Sequence, residues 1–240
     1  MTSGKNLRSL ALFSIGLAAL LFPACAGTYY APTPMPTLFS KRNDLAAGAS
    51  LGHQGAGGNL AWSPLKYLYA AASGQTQFDG SHSVWEVGGG AYLYAADGLF
   101  FDIGGGTGRG RFTYNDPMSG SGDSFITARG NYRKSFASMN LGFKSRNSRL
   151  GFGGRINWLE QHYDANFSGN NFYQKWLAGR TFEPRVFEYY FFQEHRIAPQ
   201  LYLFNIIGAV DSPQKQNEIQ LFPLFFRVGL NVRLNLSQNS

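Results

Sequence analysis

The chain ends in a run where apolar and polar residues largely alternate: LFFRVGLNVRLN, from Leu224 to Asn235. Successive side chains of a β-strand point to opposite faces, so this run predicts a strand with one apolar and one polar face. Phe226 falls on the apolar face with the leucines and valines, and Arg227 and Arg233 fall on the polar face. Such a strand either packs its apolar face on a protein core or turns it toward lipid.

Alternation of this kind extends back to Asp44, and no segment has a convincing helical period. It predicts about ten strands, near residues 44–53, 56–63, 67–78, 83–95, 99–114, 131–146, 149–163, 183–196, 200–210 and 221–235. Strands of roughly ten residues suit a tilted membrane crossing, and an even count is typical of bacterial outer-membrane barrels. The predicted fold is all-β: an antiparallel, up-and-down transmembrane β-barrel of about 10 strands, with 8 or 12 as alternatives.

Composition and loop lengths favour the lipid-facing interpretation of the apolar faces. Charged residues are only 15% of the chain, against about 25% in ordinary soluble proteins. Short connections are predicted near 64–66, 96–98, 147–148 and 197–199. Longer ones, rich in Gly, Ser, Asn, Asp and Pro, are predicted near 79–82, 115–130, 164–182 and 211–220. Short periplasmic turns and longer outer loops are the outer-membrane pattern.

Two predicted hairpins give consistent faces. With a two-residue turn at Asn147-Ser148, Phe143 would face Phe152 on the apolar side and Asn140 would face Arg155 on the polar side. The same reasoning applies to the hairpin of 183–196 and 200–210. There the apolar face would hold Phe187, Tyr189, Phe191, Ile206, Gly208 and Val210, and the polar face Glu188, Glu194 and Asn205.

The hairpin of strands 83–95 and 99–114 is less regular. Glu86 and Asp102 fall on its polar face, but Arg109 falls on that face only if the strand phase slips at Gly104–Gly106. A β-bulge at the glycine run would produce such a slip. With that bulge, Glu86 is expected directly across from Arg109.

Charged residues within the predicted strands should point inward. An arginine facing lipid near the membrane midplane costs roughly 2–4 kcal/mol. We therefore assign seven residues to a charge network in the lumen: Glu86, Asp102, Arg109, Arg155, Glu188, Arg227 and Arg233.

The N-terminal segment has the features of an export signal. Lys5 and Arg8 precede an apolar run that ends at Phe22, too short for a comfortable spanning helix, and Phe22-Pro23-Ala24-Cys25 resembles the lipobox of a bacterial lipoprotein. An ordinary secretory signal with a chance cysteine is the alternative. The expected organisation is a signal peptide over 1–24, a lipidated, proline-rich linker over 25–43, and a barrel over 44–240. Because no acidic run follows Cys25, the anchor is expected in the periplasmic leaflet of the outer membrane.

The order of these segments resembles the small outer-membrane β-barrel lipoproteins of Bacteroidetes-type bacteria. The resemblance rests on the lipobox cysteine, the linker TYYAP, the first strand LAAGASLG and the segment LAWSPLKYLYAAASG. It covers most of the chain and implies location and fold. It implies no shared reaction.

Other motifs are weak. The run GGGTGRG lacks the Lys-Ser/Thr and the helix of a phosphate-binding loop. Histidines 53, 82, 162 and 195 are scattered; His162 lies near Glu160 and Asp164, which leaves an envelope hydrolase conceivable. No cofactor or metal site is expected, and no Lys/Arg run indicates nucleic-acid binding despite the net charge of +7.

Three functional classes follow for such a barrel. The first is a structural or interaction barrel with a plugged lumen, for example an accessory subunit that contacts other envelope proteins. The second is a narrow pore or carrier for small solutes, and the third is an outer-membrane enzyme acting on lipid or peptide. The filling of the lumen separates the first two, and the third needs a His–acid or His–Ser pair facing a cleft. Outer-membrane lipid is the expected partner of all three.

Overall fold

The structure is a computed structural model that describes residues 39, 42–52, 55–95, 98–116, 126–164, 178–213 and 224–236. The predicted signal peptide, Cys25, His53 and most of the predicted long loops lie outside these residues. No helix among the described residues is long and apolar enough to cross a membrane, a finding that does not address crossing by strands.

Ten long strands and one short strand make up the fold. They are β1 (Asp44–Gly52), β2 (Gly55–Leu65), β3 (Leu68–Gln77), β4 (His82–Tyr94), β5 (Leu99–Asp116), β6 (Ile126–Lys144), β7 (Ser148–Tyr163), β8 (Thr181–Phe182), β9 (Arg185–Ala198), β10 (Leu201–Asp211) and β11 (Leu224–Asn235). Each predicted strand overlaps one long strand.

Every pairing between neighbouring strands is antiparallel, and the sheet closes on itself. The order runs β6-β5-β4-β3-β2-β1-β11-β10-β9-β7, and β6 also pairs with β7, while the short β8 pairs only with the outer part of β7. The prediction of an antiparallel, up-and-down barrel of about ten strands is confirmed. Closure leaves the long strands without a free edge, as a barrel in lipid requires.

The two ends of the barrel differ. Asp44 pairs with Asn235 of β11 and with Ser63 of β2, so both ends of the barrel sequence lie where β2 turns into β3. The β4–β5, β6–β7 and β9–β10 connections lie at this same end, which we call the short-turn end. The connections β5–β6, β7–β9 and β10–β11 lie at the opposite end, which we call the long-loop end.

The β6–β7 hairpin has the predicted faces but another register. Lys144 pairs with Arg149, and Leu141 pairs with Phe152, two residues from the predicted alignment. The turn keeps two residues but lies one residue earlier, at Arg146-Asn147, because Ser145 donates its backbone N–H to the Ser148 carbonyl and its hydroxyl bonds that residue as well. An even shift keeps every side chain on its face.

The β9–β10 hairpin differs by one residue, which reverses the faces of β10. Val210 pairs with Glu188, and Ile206 pairs with Phe192, so Ile206 and Val210 are buried inside and Asn205 lies on the outer face. The cause is a register shift between Leu201 and Tyr202, next to the turn. The predicted faces of Glu188 and Glu194 are those observed, whereas those of Ile206, Gly208, Val210 and Asn205 are wrong.

The predicted bulge at Gly104–Gly106 is not present, because β5 pairs with β4 and β6 without any register shift. The inward glycines instead make room for rings from neighbouring strands. A Cβ built on Gly104 would lie 2.3 Å from the Tyr69 hydroxyl, and one on Gly106 would lie 2.8 Å from the Phe136 ring. The glycine run therefore accommodates interior aromatic side chains in a narrow barrel.

The two faces of the wall have opposite chemistry. Large apolar side chains cover the outside; exposed members include Leu60, Leu93, Ile103, Met139, Leu141, Phe152, Tyr189 and Leu230. Most of the buried charged residues lie inside. Strand β11 follows the predicted phase: Leu224, Leu230, Val232 and Leu234 are exposed, and Arg227 is buried.

The apolar wall predicts a depth-dependent penalty for arginine. Met139 lies within the apolar part of β6, and Ser135 lies four residues closer to the long-loop end on the same outer face. Met139→Arg should lower the free energy of unfolding in lipid vesicles by roughly 2–4 kcal/mol, and Ser135→Arg by about 0–1 kcal/mol. Urea titration monitored by tryptophan fluorescence measures both. Equal penalties at the two positions would contradict a lipid-facing wall.

Candidate functional site: the barrel interior

A buried carboxylate lies at the centre of the interior. Glu86 of β4 forms ion pairs with Lys134 of β6 and Arg155 of β7. The guanidinium Nη1 of Arg155 donates to both carboxylate oxygens of Glu86, at 2.9 and 3.1 Å. Glu86 and Lys134 are separated by one strand, and the residue between them in register is Gly108. Because Gly108 has no side chain, the lysine can reach across β5 to the carboxylate.

The same network continues to β9. Glu188 lies directly opposite Arg155 in register, and its carboxylate is 4.0 Å from Arg155 Nε. Asn157 joins the two halves: its side-chain amide donates to Glu188 at 2.9 Å, and Lys134 donates to its carbonyl oxygen at 3.3 Å. Two acids, two bases and an amide thus form one connected group across β4, β6, β7 and β9. Water-excluded charges persist in a protein only when they are paired and hydrogen-bonded in this way.

A second charged cluster lies nearer the short-turn end. Glu194 pairs in register with Arg149, 3.5 Å away, and also accepts hydrogen bonds from Arg233 and Asn231 of β11. The Arg233 guanidinium lies over the Tyr202 ring, 4.4 Å from its centroid. The closing strand β11 is therefore tied through the interior to β9, a strand with which it does not pair in the sheet.

Asp102 forms a third interior cluster with neutral partners. The side-chain amide of Asn140, its cross-strand neighbour, donates to Asp102 at 3.2 Å, and the Tyr69 hydroxyl donates at 3.3 Å. Asn140 in turn accepts a hydrogen bond from the Tyr190 hydroxyl at 2.7 Å. Asp102 is completely buried, so its charge is stabilised by these donors.

Aromatic rings fill the interior on both sides of the charges. Phe112 contacts Tyr163 near the long-loop end, with ring centroids 5.2 Å apart, and Phe100 contacts Phe192 nearer the short-turn end at 6.0 Å. A cavity of ≈ 40 Å³ borders Glu86 and Arg155, enough for a few water molecules. The Glu86 network therefore lies between two aromatic layers in the described part of the lumen.

One residue that precedes the barrel also enters it. Phe39 is only 2% exposed and lies with Tyr69 and Tyr92, its ring centroid 6.4 and 6.1 Å from theirs. Both tyrosines are interior residues, and the phenylalanine adds to the filling at the short-turn end. Residues 25–43 were predicted to be only a linker, and nothing in the alternation pattern distinguished this residue.

The structure distributes the predicted network residues unevenly. Glu86, Arg155 and Glu188 come together, Asp102 and Arg233 belong to the other two clusters, and Arg227 is buried opposite Ile206 of β10. Arg109 is exposed on the outer face, so its predicted pairing with Glu86 is wrong. The reason is the unshifted β5 register, which places Gly108 rather than Arg109 opposite Glu86.

Sequence reasoning missed Lys134, Arg149 and the role of Glu194. The signal for Lys134 was present, because alternation from Ser138 and Asn140 places it on the same inner face. Arg149 was hidden by the predicted turn, which put it opposite Arg146. The observed turn leaves Arg149 facing inward and opposite Glu194.

The described histidines do not form an evident catalytic group. His82 is buried between Phe112 and Tyr132, and His162 is exposed on the outer face with Thr181 as its partner at 3.1 Å. His195 bonds the Ser148 hydroxyl at 2.7 Å, but both side chains are on the outer wall at the short-turn end. Within the described residues, no group of three His, Cys, Asp or Glu could hold a metal ion.

Neither a protein-family profile nor a curated protein matches the sequence. Among solved structures, the outer-membrane protease OmpT from Escherichia coli aligns with a TM-score of 0.48 at 11% identity, over 80% of this chain and 94% of that chain. The translocator domain of the autotransporter NalP from Neisseria meningitidis aligns at 0.39 and 11%, over 95% of each chain. The β-barrel domain of OprF from Pseudomonas aeruginosa aligns at 0.33 and 10%, over 80% and 98%. These likenesses are distant and transfer no activity.

The class of the protein follows from its own geometry. A closed barrel with an apolar exterior, an interior of charges and rings, and long connections at one end is a transmembrane β-barrel of the outer-membrane type.

The central ion pair predicts non-additive effects on stability. Glu86→Gln and Arg155→Met each leave a buried charge with fewer partners, so each should lower the free energy of unfolding by about 3–5 kcal/mol. The double variant should be less destabilised than the sum by roughly 0.5–3 kcal/mol. Arg109→Gln is the matched control and should change stability by less than about 0.5 kcal/mol. Additive losses in urea unfolding would rule out the pair.

Proposed function

We propose that the protein is an outer-membrane β-barrel lipoprotein with a plugged lumen and a structural or interaction role in the cell envelope. The observation that carries this proposal is the filling of the interior by the Glu86 network and the aromatic layers around it. A barrel of this size is narrow, and its interior can be filled completely by side chains.

The chemistry of the interior argues against a pore or carrier. A conducting lumen needs a wetted path with groups that bind a solute weakly. Here Glu86 has two cationic partners and Glu188 is bound by Asn157 and Arg155, so the acids are occupied by the chain itself. These ion pairs hold the strands together and leave no free acid to bind a solute within the Glu86 network.

The position of the barrel's ends supports a periplasmic anchor. Asp44 begins β1 at the short-turn end, which faces the periplasm in barrels of this class. The buried Phe39 lies 14 positions after Cys25, and an extended segment of that length spans at most about 50 Å. Lipid on Cys25 could therefore reach the periplasmic leaflet. Such an anchor would leave the long-loop end available to partners outside the cell.

We also infer that the role is not catalytic. The Ser148–His195 pair lies on the outer wall beside a short turn, and a base of this kind needs a bound substrate within hydrogen-bond reach. Structural and interaction roles need only the barrel and its loops. Other envelope proteins are the expected partners.

A plugged lumen predicts that the protein does not conduct ions across a membrane. The reconstituted protein should show no sustained conductance in planar bilayers. Tyr190→Ser combined with Phe192→Ser removes two interior rings and should create measurable, salt-dependent openings. Phe152→Ser combined with Phe191→Ser removes two neighbouring rings from the outer wall, with centroids 5.2 Å apart, and should create no such openings. Sustained conductance of the unmutated protein would favour the pore instead.

The proposed anchor predicts loss of lipid from a single substitution. Cys25→Ala should abolish incorporation of labelled fatty acid, since Cys25 is the only cysteine of the chain. The barrel should still insert, because its wall does not depend on the anchor, and outer-membrane fractionation checks this. Fatty-acid labelling that persists in Cys25→Ala would refute the lipoprotein proposal.

A further inference from the structure

Three arginines form a cluster on the outer wall of the barrel near the long-loop end. Arg109 and Arg111 of β5 and Arg133 of β6 are all exposed, and Arg109 lies directly opposite Arg133 in register. We call these three side chains the arginine patch. Like charges placed directly opposite on neighbouring strands destabilise a sheet. The patch therefore needs a compensating anion.

The protein supplies little of that compensation. None of the three arginines forms an ion pair with another described residue, in contrast to the interior bases. Glu160 of β7 lies opposite Arg133 on the side away from Arg109, so one acid borders three bases. A net positive charge remains on this part of the wall.

The height of the patch corresponds to lipid headgroups. Arg133 is six residues from Met139, which lies next to the middle of the outward apolar run from Ala137 to Phe143 on the same strand. At 3.4 Å per residue and a 45° tilt, this separates them by roughly 14 Å along the membrane normal. Half of an apolar band is about 12–13 Å. Trp85, 48% exposed and opposite Arg109, marks the same level, where tryptophan is enriched in membrane proteins.

The surroundings of the arginines form a groove rather than a flat surface. Ser83, Trp85, Asn131 and the arginine patch line a cavity of ≈ 410 Å³ on the wall. Arginine binds phosphate oxygens in a bidentate manner, and serine and asparagine add further hydrogen-bond donors. The groove thus combines positive charge, neutral donors and the exposed ring of Trp85.

We propose that the arginine patch binds the phosphate group of a phosphorylated glycolipid in the outer leaflet. The source is a lipid because the patch lies on the lipid-facing wall, where a phosphate is held at headgroup height by its acyl chains. The choice of leaflet rests on the proposed outer-membrane orientation, with the long-loop end outside.

The test compares two lipids that differ only in phosphate. Diphosphorylated lipid A and its dephosphorylated form are titrated into the full-length protein in neutral detergent micelles, and native mass spectrometry gives the apparent Kd. Lipid A should bind to the unmutated protein. The triple variant Arg109→Gln, Arg111→Gln, Arg133→Gln should bind it at least about tenfold more weakly, since hydrogen bonds between charged groups are lost. The dephosphorylated lipid should bind both proteins equally weakly.

Matched controls separate a site from general charge. Arg146→Gln removes an exposed arginine in the β6–β7 turn at the opposite end and should leave the Kd unchanged. Circular dichroism checks that the triple variant is folded. Unchanged lipid A binding in the triple variant would overturn the proposal, as would an equal loss in Arg146→Gln. Displacement of lipid A by millimolar inorganic phosphate would assign the patch to free anions instead.

A separate measurement keeps orientation apart from binding. A membrane-impermeant maleimide added to intact cells should label Asp79→Cys at the β3–β4 turn and leave Asn147→Cys unlabelled. The reverse pattern would place the patch in the periplasmic leaflet and contradict the proposed orientation. Binding in micelles is independent of that result, so failure of the site and failure of the orientation give different outcomes.

Discussion

The carboxylate of Glu86 and its two cationic partners are the interaction on which the interior depends. A charged side chain within a membrane-spanning wall is tolerated on the lumen side, and there it needs a partner because little water is present. Lys134 and Arg155 come from strands that are distant in sequence from β4. These ion pairs can therefore form only in the one closed arrangement that brings the three strands together. A slip of one residue in β4, β6 or β7 would turn one of these charges toward lipid.

Small residues make this arrangement possible. Gly108 leaves open the space through which Lys134 reaches Glu86, and Gly104 and Gly106 leave room for Tyr69 and Phe136. Glycine weakens a strand by its flexibility, but a narrow barrel cannot hold a large side chain at every inward position. Large rings on some strands fill the space above glycines on neighbouring strands. The interior is therefore packed like a protein core, although ion pairs and hydrogen bonds lie at its centre.

Much of the fold could be predicted from alternation, because one apolar face per strand fixes which residues meet lipid. The predicted strand registers were wrong where a turn or a bulge shifted the alignment of two strands. A Ser145–Ser148 turn moved one register by two, which left the faces intact. A shift beside Tyr202 moved another by one and reversed β10. At Gly104–Gly106 a bulge was predicted because it would place Arg109 inside the barrel, and the structure has no bulge there. The strand is unbroken, its inward glycines make room for rings, and Arg109 points outward. Alternation alone cannot choose between an unbroken strand and a bulged one.

We propose that a self-paired layer of buried charges closes the lumen of this membrane barrel. An experimental structure in a lipid bilayer, at a resolution that shows ordered water, tests it most directly. We expect Lys134 and Arg155 to contact Glu86, with isolated waters at most beside them and no continuous water path between the two ends. A water-filled path through the barrel, or Glu86 on the lipid-facing side of β4, would contradict it.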